Sequence, residues 1–148
     1  MLFRSPLLVA GGVIFGFVHF LSNPDRDNLP KRPVLAPDSL PNFELFDAEG
    51  HAHELYRHSD QRAVVIFSFG VDCPIVQKSS RILGALKREF NKRGVAFLAV
   101  DANTADDREK ILKEAKDYDF ILPVLRDTSQ MVSKQLGFRR TGEVVLIE

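Results

Sequence analysis

Two apolar strands separated by one amphipathic helix constrain the fold of this chain more than any other feature. Ala63–Phe69 is a continuous run of apolar and β-branched residues, and Val95–Val100 is a second run of the same kind. Such runs are typical of strands buried on both faces of a sheet. Between them, apolar residues recur at steps of three and four from Ile75 to Phe90, which predicts a helix with one buried stripe. The pattern indicates a β-α-β unit.

Shorter elements flank this unit, and together they give the order β-β-β-α-β-α-β-α-β. Strands that alternate with helices predict an α/β fold whose sheet has a parallel part and is covered on both faces. The shorter elements are strands at 42–46 and 53–55, a helix capped by Asn103 or Thr104 with Ile111, Leu112 and Ala115 on its inner face, a strand at 123–125, a helix at 127–136 and a strand at 144–147.

The first 22 residues resemble a signal segment. Leu7–Leu21 is almost wholly apolar and follows a short positive flank at Arg4. The fifteen residues Leu7–Leu21 would span about 22 Å as a helix, which is short of the hydrocarbon core of a bilayer. Only the longer segment, residues 3–22, makes a marginal membrane span. No small-x-small cleavage triplet follows, which favours an uncleaved signal anchor; secretion after cleavage of a signal peptide is the alternative. Either reading places the rest of the chain outside the cytoplasm, on the periplasmic or extracellular side.

A proline-rich segment follows the apolar run. Residues 23–41 contain five prolines among charged residues and have little apolar material to bury, so we expect an extended spacer. The predicted organisation is therefore an anchor or signal peptide at 1–22, a linker at 23–41 and one globular domain at 42–148.

The composition excludes several classes of function. Lys plus Arg and Asp plus Glu both number 20, and no basic stripe points to nucleic acid. Cys73 is the only cysteine, which excludes an intramolecular disulfide and a self-contained dithiol site. His51 and His53 stand two apart, but no cysteine or carboxylate cluster lies nearby to complete a shell, so we expect a polar loop there and neither a metal nor a cofactor.

The cysteine lies where the first long strand passes into its helix. Pro74 follows it and suits the first position of a helix, where an N–H has no partner. A thiol at a helix N-terminus faces unpaired N–H groups, which stabilise the thiolate and lower the thiol pKa. Asp72 acts against this by repulsion, to an extent that depends on where its carboxylate points.

Six short segments of the sequence together resemble a known family over residues 36–148. The chain is similar to the thioredoxin-like superfamily and, within it, to the redoxin branch of alkyl hydroperoxide reductase and thiol-specific antioxidant proteins. That resemblance implies a thioredoxin-like fold, with a mixed central sheet flanked by helices, and an active-site cysteine at Cys73. The fragments are Pro41–Gly50, Val64–Phe69, Asp72–Pro74, Gly94–Asp101, Pro123–Asp127 and Leu136–Thr141.

The sequence departs from the family pattern around the cysteine. Thioredoxins carry a second cysteine three residues after the first, where this chain has Val76. Peroxiredoxins carry Thr or Ser three residues before the cysteine and Pro seven before it, where this chain has Gly70 and Ile66. Family members carry a cis-proline after the threonine that matches Thr141, and Gly142 stands there instead. Because a cis bond without proline costs about 2.5–4 kcal/mol, we expect a trans bond and a reshaped or looser pocket.

The loop before that glycine and the end of the sequence carry two further expectations. Arg139 and Arg140 precede Thr141 in the loop that approaches the cysteine in this fold. We expect both to be solvated; the alternative is that one of them offsets Asp72 or binds an anionic substrate. The family continues beyond the strand at Val144–Ile147 with one more strand and a helix, so we expect an edge or face of this strand to be uncovered.

Three functional hypotheses remain open at this point. The first is an extracytoplasmic thiol oxidoreductase or one-cysteine peroxidase that acts through Cys73 with an external thiol. The second is a non-catalytic thioredoxin-like module that docks an envelope or redox partner. The third is a component beside another redox protein, such as a haem protein; no Cys-x-x-Cys-His motif attaches haem to this chain.

Overall fold

The computed structural model describes residues 40–148, which contain a four-stranded mixed sheet in the order β5-β4-β3-β6. Strands β3 and β4 are parallel, β4 and β5 are parallel, and β6 is antiparallel to β3. A separate two-stranded antiparallel sheet precedes them. The strands are β1 Glu44–Phe46, β2 Ala52–Glu54, β3 Ala63–Phe69, β4 Val95–Asp101, β5 Val124–Arg126 and β6 Val144–Ile147.

Three α-helices and two short 3-10 turns connect these strands. Helix α1 spans Pro74–Phe90, α2 spans Arg108–Asp117 and α3 spans Met131–Gln135. The 3-10 turns lie at Leu55–His58 and Asn91–Arg93. No helix in the described residues is both long enough and apolar enough to cross a bilayer. The predicted anchor and linker lie outside the described residues, except for Leu40 and Pro41 at the end of the linker.

The core lies on both faces of the four-stranded sheet, as the all-apolar strands predict. One face packs Ile66 and Leu98 against Leu136. Because side chains alternate along a strand, Phe67 and Phe69 point to the opposite face, where both rings contact Phe120 at centroid distances of 6.0 and 5.0 Å. Every residue of β3 and β4 is buried, so these two strands fix the point where α1 begins.

The predicted cap of α2 is wrong. Asp107 caps the helix, and its side chain accepts a hydrogen bond from the Lys110 N–H at 2.9 Å. Asn103 instead closes a turn before the helix, where its side-chain amide donates to Asp106 at 2.8 Å. The other oxygen of Asp106 accepts the N–H of Val71 at 2.9 Å, so this turn ties down the loop that precedes Cys73.

The predicted helix at 127–136 is shorter than expected. Only Met131–Gln135 is helical, because Asp127 turns inward and is fully buried. Its carboxylate accepts hydrogen bonds from the Ser133 N–H at 2.7 Å and from the Ser129 hydroxyl at 3.1 Å. Elsewhere the strand predicted at 63–69 and the strand predicted at 144–147 have the expected bounds. Within the described residues β6 is an edge strand, as expected.

Candidate active site

Cys73 is the residue that joins the loop after β3 to helix α1. It is the N-cap of the helix, with extended backbone angles of φ −91° and ψ 115°, and Pro74 begins the helix. Its side chain is partly exposed. Asp72 has a left-handed φ of 57° and is exposed. The strand-to-helix turn therefore presents the sulfur near the surface, where the sequence places it.

Thr141 is the side chain in closest polar contact with the sulfur. Its Oγ1 lies 3.0 Å from Cys73 Sγ. This approach depends on Gly70, since a Cβ at that position would lie 2.6 Å from Thr141 Cγ2. The residue that replaces the Thr or Ser of peroxiredoxins is therefore a glycine that makes room for a threonine from another part of the chain.

The pKa of the Cys73 thiol lies below its ordinary value. Partial burial is the largest single effect and raises the pKa, but it is outweighed by the hydrogen bond from Thr141 and by the N–H groups of Val76 and Ile75. These N–H groups belong to the first turn of α1, where the backbone donors have no partners within the helix. The site therefore favours the thiolate, which is the nucleophilic form of a cysteine.

A buried carboxylate opposes the thiolate. The charge of Glu114 raises the pKa of Cys73, and Glu114 is only 7% exposed. Its side chain accepts a hydrogen bond at 2.9 Å from Gln77, whose N–H bonds to the Cys73 carbonyl. Glu114 was not singled out from the sequence, although its spacing of three from Ile111 puts it on the inner face of α2.

The loop at Gly142 packs tightly on the start of α1. No cis peptide bond occurs within residues 40–148, so the trans bond expected at Thr141–Gly142 is confirmed. The Gly142 N–H donates to the Ser68 carbonyl at 2.8 Å, and its φ is +85°. A Cβ on Gly142 would lie 2.5 Å from Ile75 Cγ2, so the loop is reshaped but is not loose at this point.

Gly142→Ala is therefore expected to destabilise the fold more than alanine at another left-handed glycine. Gly137 is a matched control, because its φ is +74° and nothing lies within 4 Å of its missing Cβ. Gly137→Ala should lose roughly 1–2 kcal/mol from backbone strain alone, and Gly142→Ala about 1–3 kcal/mol more from overlap with Ile75. Urea denaturation of both variants measures the difference. Equal losses would show that the loop does not press on the helix.

The two predicted arginines lie in the same loop and are both exposed. The side chain of Glu143 accepts hydrogen bonds from the N–H groups of Arg139 at 2.7 Å and Arg140 at 3.2 Å. Arg140 also pairs with Glu143 through its Nε at 3.5 Å. These N–H bonds, that of Arg139 foremost, hold the pKa of Glu143 below its usual range. Glu143 was not singled out from the sequence, and it fixes the course of the loop up to Thr141.

The histidine loop contains carboxylates that the sequence analysis did not place there. His53 Nε2 lies 2.8 Å from Asp47 Oδ2, and His51 Nδ1 lies 3.4 Å from the same atom. Asp47, Glu49 and His51, without His53, form a group whose possible ligand atoms lie within 4.8 Å of one another. The other Asp47 oxygen accepts the N–H groups of Glu49 and His51. The expectation that no carboxylate cluster lies near these histidines is therefore wrong, and the contacts account for the tight turn between β1 and β2.

Comparison with solved structures identifies the fold. A hypothetical protein from Sinorhizobium meliloti 1021 superimposes with a TM-score of 0.67 and 27% identity, covering 73% of this chain and 62% of that one. The chain thus spans about three fifths of that relative's length. The exposed lipoprotein thioredoxin Etrx1 of Streptococcus pneumoniae superimposes with a TM-score of 0.64 and 20% identity, covering 73% and 82%. The second likeness shows the fold alone, which is a thioredoxin-like α/β fold.

Comparison of sequences identifies the family. The thiol-disulfide oxidoreductase ResA of Halalkalibacterium halodurans is 27% identical over 144 residues, which cover 97% of this chain and 78% of that protein. The sequence profile of the AhpC/TSA family matches residues 36–147, which include Cys73, Thr141 and every strand and helix of the structure. The chain therefore belongs to the AhpC/TSA family.

Proposed function

We propose that this protein is a thiol oxidoreductase that acts through Cys73 alone, with an external thiol as its partner. The observation that carries the proposal is the partly exposed sulfur at the open N-terminus of α1, 3.0 Å from Thr141 Oγ1, with a lowered thiol pKa. Pro74 and Gly142 support the site by starting the helix and by bringing the threonine loop against it.

One sulfur is sufficient for two related reactions. In the peroxidase reaction, the thiolate attacks a peroxide oxygen, the O–O bond breaks, and an alcohol or water leaves as Cys73 becomes a sulfenic acid. An external thiol then forms a mixed disulfide and releases water, and a second external thiol attacks that disulfide, restores the Cys73 thiol and leaves as the disulfide of the two external thiols. In the exchange reaction, the thiolate attacks a disulfide, forms a mixed disulfide and releases one thiolate.

Cys73→Ser is expected to abolish both reactions without unfolding the protein. Serine is close in size and loses only the reactive sulfur, so circular dichroism and the unfolding midpoint should stay near those of the wild type. The measurement is the rate at which the full chain, reduced beforehand, consumes hydrogen peroxide or a small disulfide as a function of pH. A wild-type thiol with an ordinary pKa and no reaction with either reagent would remove the proposal.

A second candidate is a non-catalytic module that docks a redox or envelope partner. The observation that favours it is Val76, which is 2% exposed and occupies the place of the second cysteine of thioredoxins. In this case Cys73→Ser leaves the cellular role intact and still co-purifies with the partner, for example a haem protein. Loss of the cellular role in Cys73→Ser would instead favour the thiol reaction.

We also propose that the domain acts outside the cytoplasm, tethered through residues 3–22. The support is the apolar segment with its positive flank and the proline-rich residues 23–41 that precede the domain at 42–148. Protease added to intact cells with a permeable outer layer should remove the domain and leave the anchor in the membrane. Protection from protease, or a mature protein that begins after residue 22, would contradict the tether.

A further inference from the structure

A basic cleft lies beside the candidate active site. Its volume is about 280 Å³, and it opens between the ends of β3 and β4, helix α3 and the loop that leads to Thr141. Three of its lining residues are cations, Lys134, Arg139 and Arg140, and all three are exposed. Within residues 40–148, only Arg140 of these has a carboxylate partner, Glu143. The cleft therefore carries an excess of positive charge.

A buried hydroxyl in the wall of the cleft is unused. Ser133 is 8% exposed and lines the cleft, and its Oγ has no hydrogen-bond partner within the described part of the chain. Its N–H is already bonded to Asp127. A buried hydroxyl without a partner is unfavourable, so an unpaired group here is notable. Gln130 and Asn103 line the same wall, and their side-chain amides already donate to the Ala102 carbonyl and to Asp106. The exposed cations of the cleft suit a carboxylate better than a neutral ligand.

The cleft and the sulfur share one residue. Thr141 lines the cleft and also makes the 3.0 Å contact with Cys73 Sγ. The cleft therefore borders the residue that contacts the sulfur. Because Cys73 has no second cysteine in this chain, its reaction partner has to bind from outside and has to be recognised there.

We propose that this cleft recognises the carboxylate of the thiol or disulfide that exchanges with Cys73. The proposal rests on the proposed function and deepens it by naming the class of partner. In the step concerned, the Cys73 thiolate attacks one sulfur of a carboxylate-bearing disulfide, the S–S bond of that disulfide breaks, a new S–S bond to Cys73 forms, and one carboxylate-bearing thiolate leaves.

Three small disulfides of different charge test this preference. They are 5,5′-dithiobis(2-nitrobenzoate), which carries two carboxylates, cystamine, which carries two amines, and bis(2-hydroxyethyl) disulfide, which is neutral. The reduced full chain is mixed with each, and every rate is divided by the rate with the neutral disulfide, so that changes in the thiol itself cancel. The variants are Arg139→Glu and Lys134→Glu. Lys92→Glu is the matched control, because it reverses the same charge just beyond the far end of α1, about 25 Å from Cys73 along the helix.

The expected result is a change of preference confined to the cleft variants. Arg139→Glu and Lys134→Glu should each lower the relative rate with the dicarboxylate about three- to tenfold and raise that with cystamine by a similar factor. Lys92→Glu should match the wild type, and salt at about 0.5 M should remove most of the difference. Equal relative rates in all four proteins would overturn the proposal.

A binding measurement separates this proposal from the proposed function. Cys73→Ser is titrated with 5-thio-2-nitrobenzoate, and the amide signals of Ser133, Lys134 and Thr141 are followed by NMR. Saturable shifts at these residues support a carboxylate site in the cleft even if the wild-type thiol reacts with none of the disulfides. The absence of shifts overturns the proposed site even if the thiol is reactive. Disulfide-linked peptides with glutamate or lysine beside the cysteine identify the source of the recognised carboxylate. A preference for the glutamate peptide indicates a protein partner, and the lack of such a preference indicates a small thiol.

Discussion

Replacing Thr141 by valine is expected to raise the pKa of Cys73 and to slow its reaction at pH 7 by about tenfold or more. Valine keeps the shape of threonine and removes the Oγ1 atom that lies 3.0 Å from the sulfur. A hydrogen bond to a charged group contributes roughly 1.5–3 kcal/mol, which corresponds to about one to two pKa units. The thiolate fraction at neutral pH falls as the pKa rises, and the rate falls with it.

The dependence of the rate on pH distinguishes this effect from damage to the fold. In Thr141→Val the rate should rise with pH through a higher midpoint, and at high pH, where both proteins are fully thiolate, the two rates should converge. Thr141→Ser is the control, because it keeps the hydroxyl and should keep a midpoint near that of the wild type. An unchanged midpoint in Thr141→Val would show that the threonine does not stabilise the thiolate.

Asp101→Asn is expected to stabilise the protein at pH 8 and to flatten the dependence of its stability on pH. Asp101 ends β4 and is 3% exposed. Burial, the largest effect, raises its pKa to about 7, and the charge of Asp106 adds to this, while the Asn103 N–H and the charge of Arg126 act in the opposite direction. A buried carboxyl of this kind is held in its neutral form below neutral pH.

The sign of the pH effect follows from the direction of the shift. The folded pKa lies above the unfolded value near 3.9, so the stabilising contribution is fully present below that value and is lost as the pH rises through about 7. The wild type should lose on the order of 4 kcal/mol between about pH 4 and pH 8 from this group, an upper limit. Asparagine cannot ionise, and its Oδ1 can still accept the Asn103 N–H that Asp101 Oδ1 accepts at 2.8 Å.

Urea unfolding at pH 5, 6, 7 and 8 measures this difference. The wild-type free energy of unfolding should fall across the series, whereas that of Asp101→Asn should change much less and exceed the wild-type value at pH 8. Asp60→Asn removes an exposed carboxylate and should keep the wild-type slope. A slope in Asp101→Asn as steep as that of the wild type would assign the pH dependence to other groups.

The parts of the fold that local pattern determines were predictable from the sequence. Ala63–Phe69 and Val144–Ile147 have the predicted bounds because each is an apolar run that ends at glycine or charged residues. The turn that precedes the α2 cap was not predictable, because Asn103 bonds to Asp106 and Asp106 bonds in turn to Val71, which is 35 residues away. Such a contact leaves no periodic signal in the sequence around either residue.

The site was predictable only in outline. The resemblance implied that Thr141 approaches Cys73, and the structure brings the two together. Two carboxylates of the site were missed: Glu114, which acts on the thiol pKa, and Glu143, which fixes the loop before Thr141. A glutamate in a helix or loop is normally solvated. Glu114 is buried where α2 packs against α1, and Glu143 accepts two N–H groups of its own loop. Both roles depend on tertiary contacts rather than on spacing.

The left-handed backbone at Gly142 makes the absence of the family's proline difficult to reverse. Proline holds φ near −65°, whereas Gly142 has φ +85°. The space that a Cβ on Gly142 would take is already occupied by Ile75. A single codon change to proline would meet both a forbidden dihedral and an occupied space. A return to the usual motif would require a different turn conformation at residue 142 and a smaller side chain at Ile75 at the same time. Single substitutions at this position therefore favour keeping glycine.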